Sequence, residues 1–211
     1  TSVRDFEIYG NDLIVGTHGR GIWVIDDIAP LRQLSDTIVA STAHLFQPSD
    51  TVNVIGTSDN GTPMQKDEPQ APNPVPGVAI DYWLGTTPSG PVTIEILDAS
   101  GAVTHSFSNA PGAAAPLAGG RGAGSGTAPG RIPNTNALWR VPPSLFVATA
   151  GMHRVVWNPV NNPRRRGGDG AEISVPQQQT GTFTARLTVD GKVQTRTFQV
   201  APDPRSAGLA P

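Results

Sequence analysis

Residues 182–200 read TFTARLTVDGKVQTRTFQV, and this stretch decides the fold. Phe183, Ala185, Leu187 and Val189 alternate with threonine and arginine, the period-two pattern of a strand with one buried face. Asp190-Gly191 follows, a pair suited to a two-residue type I′ turn in which both central residues take positive φ. Val193 to Val200 then runs back. The stretch is a β-hairpin, and the same grammar recurs along the chain.

Working outward, Val92–Leu97 and Ala102–Phe107 flank the turn signal Asp98-Ala99-Ser100-Gly101 and form a second hairpin. Val78–Leu84, Ala137–Val141 and Met152–Trp157 are further strand candidates. Near the start, Val3–Tyr9, Leu13–Val15 and Ile22–Ile25 are short apolar runs separated by Gly/Asn-rich turns, which reads as a three-stranded antiparallel meander. Pro30 to about Thr42 is the one helical candidate, with Leu31, Leu34 and Ile38 at helical spacing and Pro30 suited to a first turn. Ala43 to Ile55 reads as extended chain.

Composition agrees with an all-β chain. Glycine (24) and proline (21) make up about a fifth of the 211 residues, and only 15% are charged, so long helices coated in Lys and Glu are excluded as the main architecture. The net charge of −2 lacks the basic excess of a nucleic-acid binder. No apolar run approaches the roughly 20 residues that span a bilayer as a helix. The absence of cysteine excludes disulfides, thiolate metal sites and cysteine nucleophiles. Thr57–Pro76 and Pro159–Gly170 read as loops. Ala110–Gly130, rich in Ala, Gly, Pro and Ser without periodicity, reads as a mobile surface insertion.

The segment 12–30, DLIVGTHGRGIWVIDDIAP, resembles the last blade of BNR-type, sialidase-like β-propeller repeat proteins, many of them described as glycosyl hydrolases. From Ala43 onward, AHLFQPSD, AIDYWL, GPVTIEILDASGAV, AGMHRVVWNPV and GTFTARLTVDGKVQTRTFQV are similar to the C-terminal domain of the same proteins, a β-sandwich of immunoglobulin or fibronectin III type. The resemblance implies a partial propeller blade at 1–29 and a connector at 30–76 with one short helix. It also implies an Ig/FnIII-like sandwich at 77–201 with an insertion at 110–136, and a tail at 202–211. It departs from the family in lacking the Asp-box Ser-x-Asp-x-Gly-x-Thr-Trp, of which Ser58-Asp59-Asn60-Gly61-Thr62 is only an echo. One blade cannot close a propeller, so the chain is expected to be the C-terminal piece of something larger.

Few constellations carry chemistry. Gly16-Thr17-His18-Gly19-Arg20-Gly21 lacks the Lys-Ser/Thr of a phosphate loop and precedes a strand instead of a helix, so it reads as a tight turn. It leaves His18 and Arg20 as candidate ligand contacts. Asp26 and Asp27 are adjacent and cannot act as a glycosidase pair if they lie in a strand; one of them is suited to capping the turn at Pro30. Asp5, Glu7 and Tyr9 share one strand face, either solvated or sugar-binding. His18, His44, His105 and His153 show no zinc spacing, and Asp59, Asn60, Asp67, Glu68 and Asp169 follow no calcium-loop pattern. Ser125 lies outside any nucleophile elbow. Arg164–Arg166 reads as a solvated loop. Tyr82, Trp83, Trp139 and Trp157 are either core residues or sugar-stacking platforms. The ligand-contact candidates are therefore His18, Arg20, Tyr82, Trp83 and Trp139, with no catalytic residue, metal or cofactor expected.

The expectation for function is a non-catalytic structural or interaction domain of an exported, sialidase-like protein, extracellular, at the cell surface or periplasmic. Its expected partners are the remainder of a propeller or identical subunits, with glycan as a further candidate, and neither nucleic acid nor a membrane span. The first alternative is a self-assembling filament or surface-layer subunit that pairs through the N-terminal strands. The second is a fragment of a glycoside hydrolase.

Overall fold

The structure, a computed structural model, describes residues 2–54, 75–110, 146–161, 164–166, 172–174 and 177–205. The described chain is all-β. The closing hairpin forms as β14 (Gly181–Val189) and β15 (Lys192–Pro202), in register from Gly181↔Val200 to Val189↔Lys192. Asp190 and Gly191 take φ of 47° and 76°, the doubly positive geometry of the I′ turn. The second hairpin, β7 (Val92–Leu97) with β8 (Val103–Ser108), closes on Asp98, whose Oδ1 accepts from the backbone N–H groups of Ser100 and Ala102 and from the Ser100 hydroxyl. These hydrogen bonds, the one from Ser100 foremost, hold the Asp98 carboxyl below its ordinary pKa.

β14 joins the two hairpins by pairing with β7, and β5 (Thr51–Asn53) adds to the far end of β15, giving a five-stranded sheet in the order β5-β15-β14-β7-β8. A smaller sheet is built from β4 (Ala43–Leu45), β6 (Val78–Leu84) and β9 (Gly151–Trp157), in the order β4-β6-β9. One hydrophobic core lies between them. Val78, Ile80, Tyr82, Leu84, Val155 and Trp157 from the small sheet meet Val92, Ile94, Ile96, Phe107, Phe183, Leu187 and Phe198 from the large one. Trp157 rests edge-on against Phe183 with ring centroids 4.8 Å apart, so one aromatic contact stitches the layers. The arrangement is a two-layer β-sandwich.

The two segments flanking this core contribute more than the sequence suggests. Residues 30–76, expected as a connector, supply a strand to each layer, β4 to one and β5 to the other. The β5–β15 pairing is parallel, the exception among otherwise antiparallel pairs. Pro202, expected to begin a tail, closes that ladder opposite Asn53, and Asp203 beyond it is buried and paired with Arg205. The Pro159–Gly170 loop likewise contains short strands: β10 (Val160–Asn161) pairs with β13 (Gln177–Gln178), and β11 (Arg164–Arg166) pairs with β12 (Glu172–Ser174). The strand candidate Ala137–Val141 and most of the 110–136 insertion lie outside the described residues.

The single expected helix is two short ones, α1 (Ala29–Gln33) and α2 (Asp36–Val39). Pro30 sits in the first turn as expected. Leu34 then turns extended (ψ 133°), and the Ser35 side chain accepts from Ile38 N–H, so a new N-cap starts inside the apolar period. Local capping by serine overrides a spacing that one helix would have used. Among the described residues no helix is long and apolar enough to cross a membrane.

Leu187, 1% exposed in the middle of β14, fills the centre of this core. Leu187→Ala is expected to lower unfolding free energy by about 2–5 kcal/mol, read as a shifted urea midpoint with unchanged slope.

Candidate functional site

The first three strands, β1 (Val3–Tyr9), β2 (Asp12–Thr17) and β3 (Ile22–Ile25), form a separate sheet in the order β1-β2-β3. Cross-strand register sorts its side chains onto two faces. On one face the rows Phe6–Val15–Trp23 and Ile8–Leu13–Ile25 are wholly apolar. On the other, Glu7–Ile14–Val24, Asp5–Gly16–Ile22 and Tyr9–Asp12 mix acidic and apolar groups. Among the described residues neither face is covered: Phe6 is 66% exposed, Ile22 75% and Val24 52%. An antiparallel sheet with one wholly apolar face ordinarily packs that face on a second layer. Here, among the described residues, Phe6, Ile8, Ile22, Val24 and Ile25 stand in solvent.

A polar knot ties this sheet to the sandwich. Asp81 lies on the outward-facing register of β6 yet is buried, and Arg154, its cross-strand partner on β9, grips its carboxylate with Nε–Oδ1 of 2.9 Å and Nη2–Oδ2 of 3.0 Å. The same guanidinium donates from Nη1 to the Asp26 carbonyl (3.0 Å) and from Nη2 to the Asp27 carbonyl (2.7 Å), where the chain leaves β3. Asp27 takes φ of 51°, a left-handed conformation. Its N–H donates to Asp12 Oδ1, while its own Oδ1 accepts from Ala29 N–H and the Ser49 hydroxyl. Asn11 Nδ2 donates to Ser49 Oγ, and Arg32 Nη2 to the Gly10 carbonyl. Both ends of the β1–β2 turn and the exit of β3 are thereby fixed to the connector. Burial, reinforced by the charge of Asp27, pushes the Asp81 carboxyl above its usual pKa against the pull of Arg154.

The residues singled out from sequence are scattered. His18 and Arg20 are exposed in the β2–β3 turn, at the opposite end of β3 from the knot. Thr17 donates to the Gly21 carbonyl from both its N–H and its hydroxyl, His18 N–H donates to the Ser2 carbonyl, and Trp23 Nε1 donates to the Arg20 carbonyl. The Thr17 and His18 amides are therefore spent inside the meander and do not converge on an anion. Gly19 and Gly21, with φ of 78° and 69°, are glycines for conformational reasons. Tyr82 is corrected from candidate to core residue. It is fully buried, stacks on Phe146, donates its hydroxyl to the Val147 carbonyl, and has its pKa pushed up to about 12 by burial.

Trp83 faces the other way, half-buried on the outer surface of the small sheet, with His44 and Met152 as cross-strand neighbours. Its indole N–H is buried and has no hydrogen-bond partner among the described residues. Trp139 lies outside the described residues. Among the described candidates, His18 and Arg20 lie in the β2–β3 turn while Tyr82 and Trp83 point to opposite faces of β6, and they form no common site; Arg154 and Asp81, which the sequence did not single out, organise the junction. The one available signal for them was a charged residue inside each of two apolar strand runs, Ile80-Asp81-Tyr82 and His153-Arg154-Val155. Asp26 and Asp27 are backbone acceptors in the knot and do not lie in a strand, since β3 ends at Ile25; the N-cap of α1 is Ile28, without a side-chain cap, and Asp27 just before it accepts from Ala29 N–H. Asp5, Glu7 and Tyr9 do share a face and remain exposed.

No family profile matches the chain, and no curated protein or solved structure is significantly similar to it.

Replacing Arg154 leaves the buried Asp81 carboxylate unpaired and frees the Asp26 and Asp27 carbonyls. Because the Arg154 side chain is 34% exposed, the expected loss for Arg154→Ala is about 2 kcal/mol, smaller than for a fully buried pair. The raised pKa means that the folded chain takes up this proton more readily than the unfolded one. Ionisation of Asp81 therefore subtracts stability as pH rises through the raised value. Removing Arg154 enlarges that penalty, so the variant's deficit is expected to be greatest at neutral pH and to shrink as pH falls towards and below the ordinary carboxylate range, measured by urea unfolding across pH.

Proposed function

We propose that this chain is a non-catalytic structural and interaction domain in which the sandwich is the anchor and the β1–β3 meander is the contact surface. The observation that carries this reading is the meander itself: apolar on one face and mixed on the other, uncovered among the described residues, and held to a well-packed core by the Arg154 knot. A three-stranded sheet of this kind without its own core is marginal in water, and exposed apolar surface of this extent marks an interaction site. The resemblance of residues 12–30 to a final propeller blade supplies a context, in which the meander packs between neighbouring sheets of an exported, sialidase-like repeat protein. The sandwich would then support that propeller or bind protein or glycan at the cell surface.

A second reading, self-assembly into a filament or surface layer, is favoured by β3. Its four residues Ile22-Trp23-Val24-Ile25 carry no charge, and among the described residues its outer edge is unpaired. Such an edge invites strand addition between copies.

The chain is expected to enhance the fluorescence of an apolar dye such as anilinonaphthalene sulfonate, and the Phe6→Ser/Ile8→Ser variant to lose most of that signal while keeping the melting transition of the sandwich. A wild-type chain that leaves the dye dark would remove the basis for the contact-surface reading. Light scattering against concentration separates the second reading, since a mass that stays monomeric throughout sinks self-assembly. Trp83 supplies the glycan test: binding of an oligosaccharide there should shift tryptophan fluorescence in the wild type and not in Trp83→Phe.

A further inference from the structure

The two open edges of the meander differ in a way that selects a partner. On β1 the acidic Asp5 and Glu7 share one face, and the apolar Phe6 and Ile8 share the other. Across the sheet the acids meet no compensating cation, since Asp5 lies opposite Gly16 and Glu7 opposite Ile14, and the strand's own cation, Arg4, sits at the register irregularity between Val3 and Asp5. Among the described residues neither carboxylate has an ion-pair partner, and the only hydrogen bond to either is from Phe6 N–H to Asp5 Oδ1. All seven residues of β1 are exposed, and its outer edge is unpaired among the described residues.

Resting on the reading of the meander as a contact surface, we infer that the outer edge of β1 accepts one added β-strand from outside this chain, with basic residues alternating with apolar ones. Strand addition supplies the backbone hydrogen bonds, and the alternation supplies specificity. Basic side chains opposite Asp5 and Glu7 form charged cross-strand pairs on the mixed face. Apolar side chains opposite Phe6 and Ile8 continue the rows Phe6–Val15–Trp23 and Ile8–Leu13–Ile25 by one strand.

A second copy of β1 does not fit this edge. Antiparallel pairing about Phe6 sets Asp5 against Glu7 of the other copy. Moving the centre to Asp5 or to Glu7 sets that carboxylate against itself. Each of these three registers, the ones that put Phe6 and Ile8 of both copies on one side and pair five or more residues of β1, opposes like charges, which is destabilising and is a device by which edge strands avoid their own kind. The uncharged β3 has no such bar, so the two edges of one small sheet have different partner rules.

The test is a titration of the intact chain with an alternating valine–arginine peptide and, separately, its valine–glutamate counterpart, followed by amide hydrogen exchange resolved by residue. The expected result is saturable protection over Val3–Tyr9 by the arginine peptide, at least about tenfold tighter than any protection by the glutamate peptide. In the Asp5→Lys/Glu7→Lys variant that preference should reverse, a readout that simple loss of folding would not produce. Equal binding of the two peptides, or an unchanged preference in the charge-reversed variant, overturns the inference. Protection confined to Ile22–Ile25 also overturns it, while leaving the meander as a contact surface. Failure of both peptides overturns it as well, and the apolar-dye experiment then decides whether the contact-surface reading falls with it.

Discussion

A guanidinium that satisfies a buried carboxylate and two backbone carbonyls at once is the contact on which the arrangement of this protein depends. The β1–β3 sheet buries too little apolar surface to stand alone, so its position is borrowed from the sandwich. Arg154 provides the loan: its planar fork binds Asp81 in two places, and its two terminal nitrogens reach the exit of β3. A lysine, with a single point of charge, cannot make that fourfold arrangement. The cost is a carboxylate held out of water on the outer face of the small sheet, tolerable only while its partner is in place.

The sandwich that supplies the anchor is closed by a different polar device. At the end of β15 where, among the described residues, β14 is its sole strand partner, the side chain of Gln194 accepts from Leu45 N–H (3.0 Å) and donates to the Ala43 carbonyl (2.9 Å). It lies on the core-facing register, opposite Leu187, and acts as a short substitute for a strand between the two layers. Gln47 extends the same seam, donating to the Thr197 carbonyl while its backbone N–H donates to Gln33 Oε1. The connector therefore serves as mortar along one side of the sandwich, and its helices and strands are short because each turn of chain is used to reach a different neighbour.

The contrast between a sealed core and an uncovered meander gives the molecule its polarity. Trp157, Phe183 and Phe198 lock the two layers by aromatic packing, while Phe6, Ile22 and Val24 are left in solvent on strands of comparable hydrophobicity. Apolar content alone does not separate the two groups. What separates them is whether, among the described residues, a second layer covers them.

The hairpins were legible because their information is local. Alternation in Phe183–Val189, an Asp-Gly turn forced to positive φ, and an aspartate bracketing the 98–102 turn act over a few residues, and the structure places them where the pattern puts them. Trp157 as a core residue followed from the same logic. The break between α1 and α2 is not legible in the sequence because two signals overlap there, an apolar period that favours one helix and a serine that caps another. Tyr82 and Trp83 are indistinguishable by composition, and only pairing with β4 and β9 sends one into the core and the other to the outer face. The parallel β5–β15 ladder, the Gln194 seam and the Arg154–Asp81 knot join residues separated by more than seventy positions. By itself the sequence determined that this is an all-β chain of hairpins, because strand period and turn chemistry are short-range. Which faces are sealed, which stay open and what ties them together was decided by tertiary structure alone, because burial and long-range pairing belong to no local stretch.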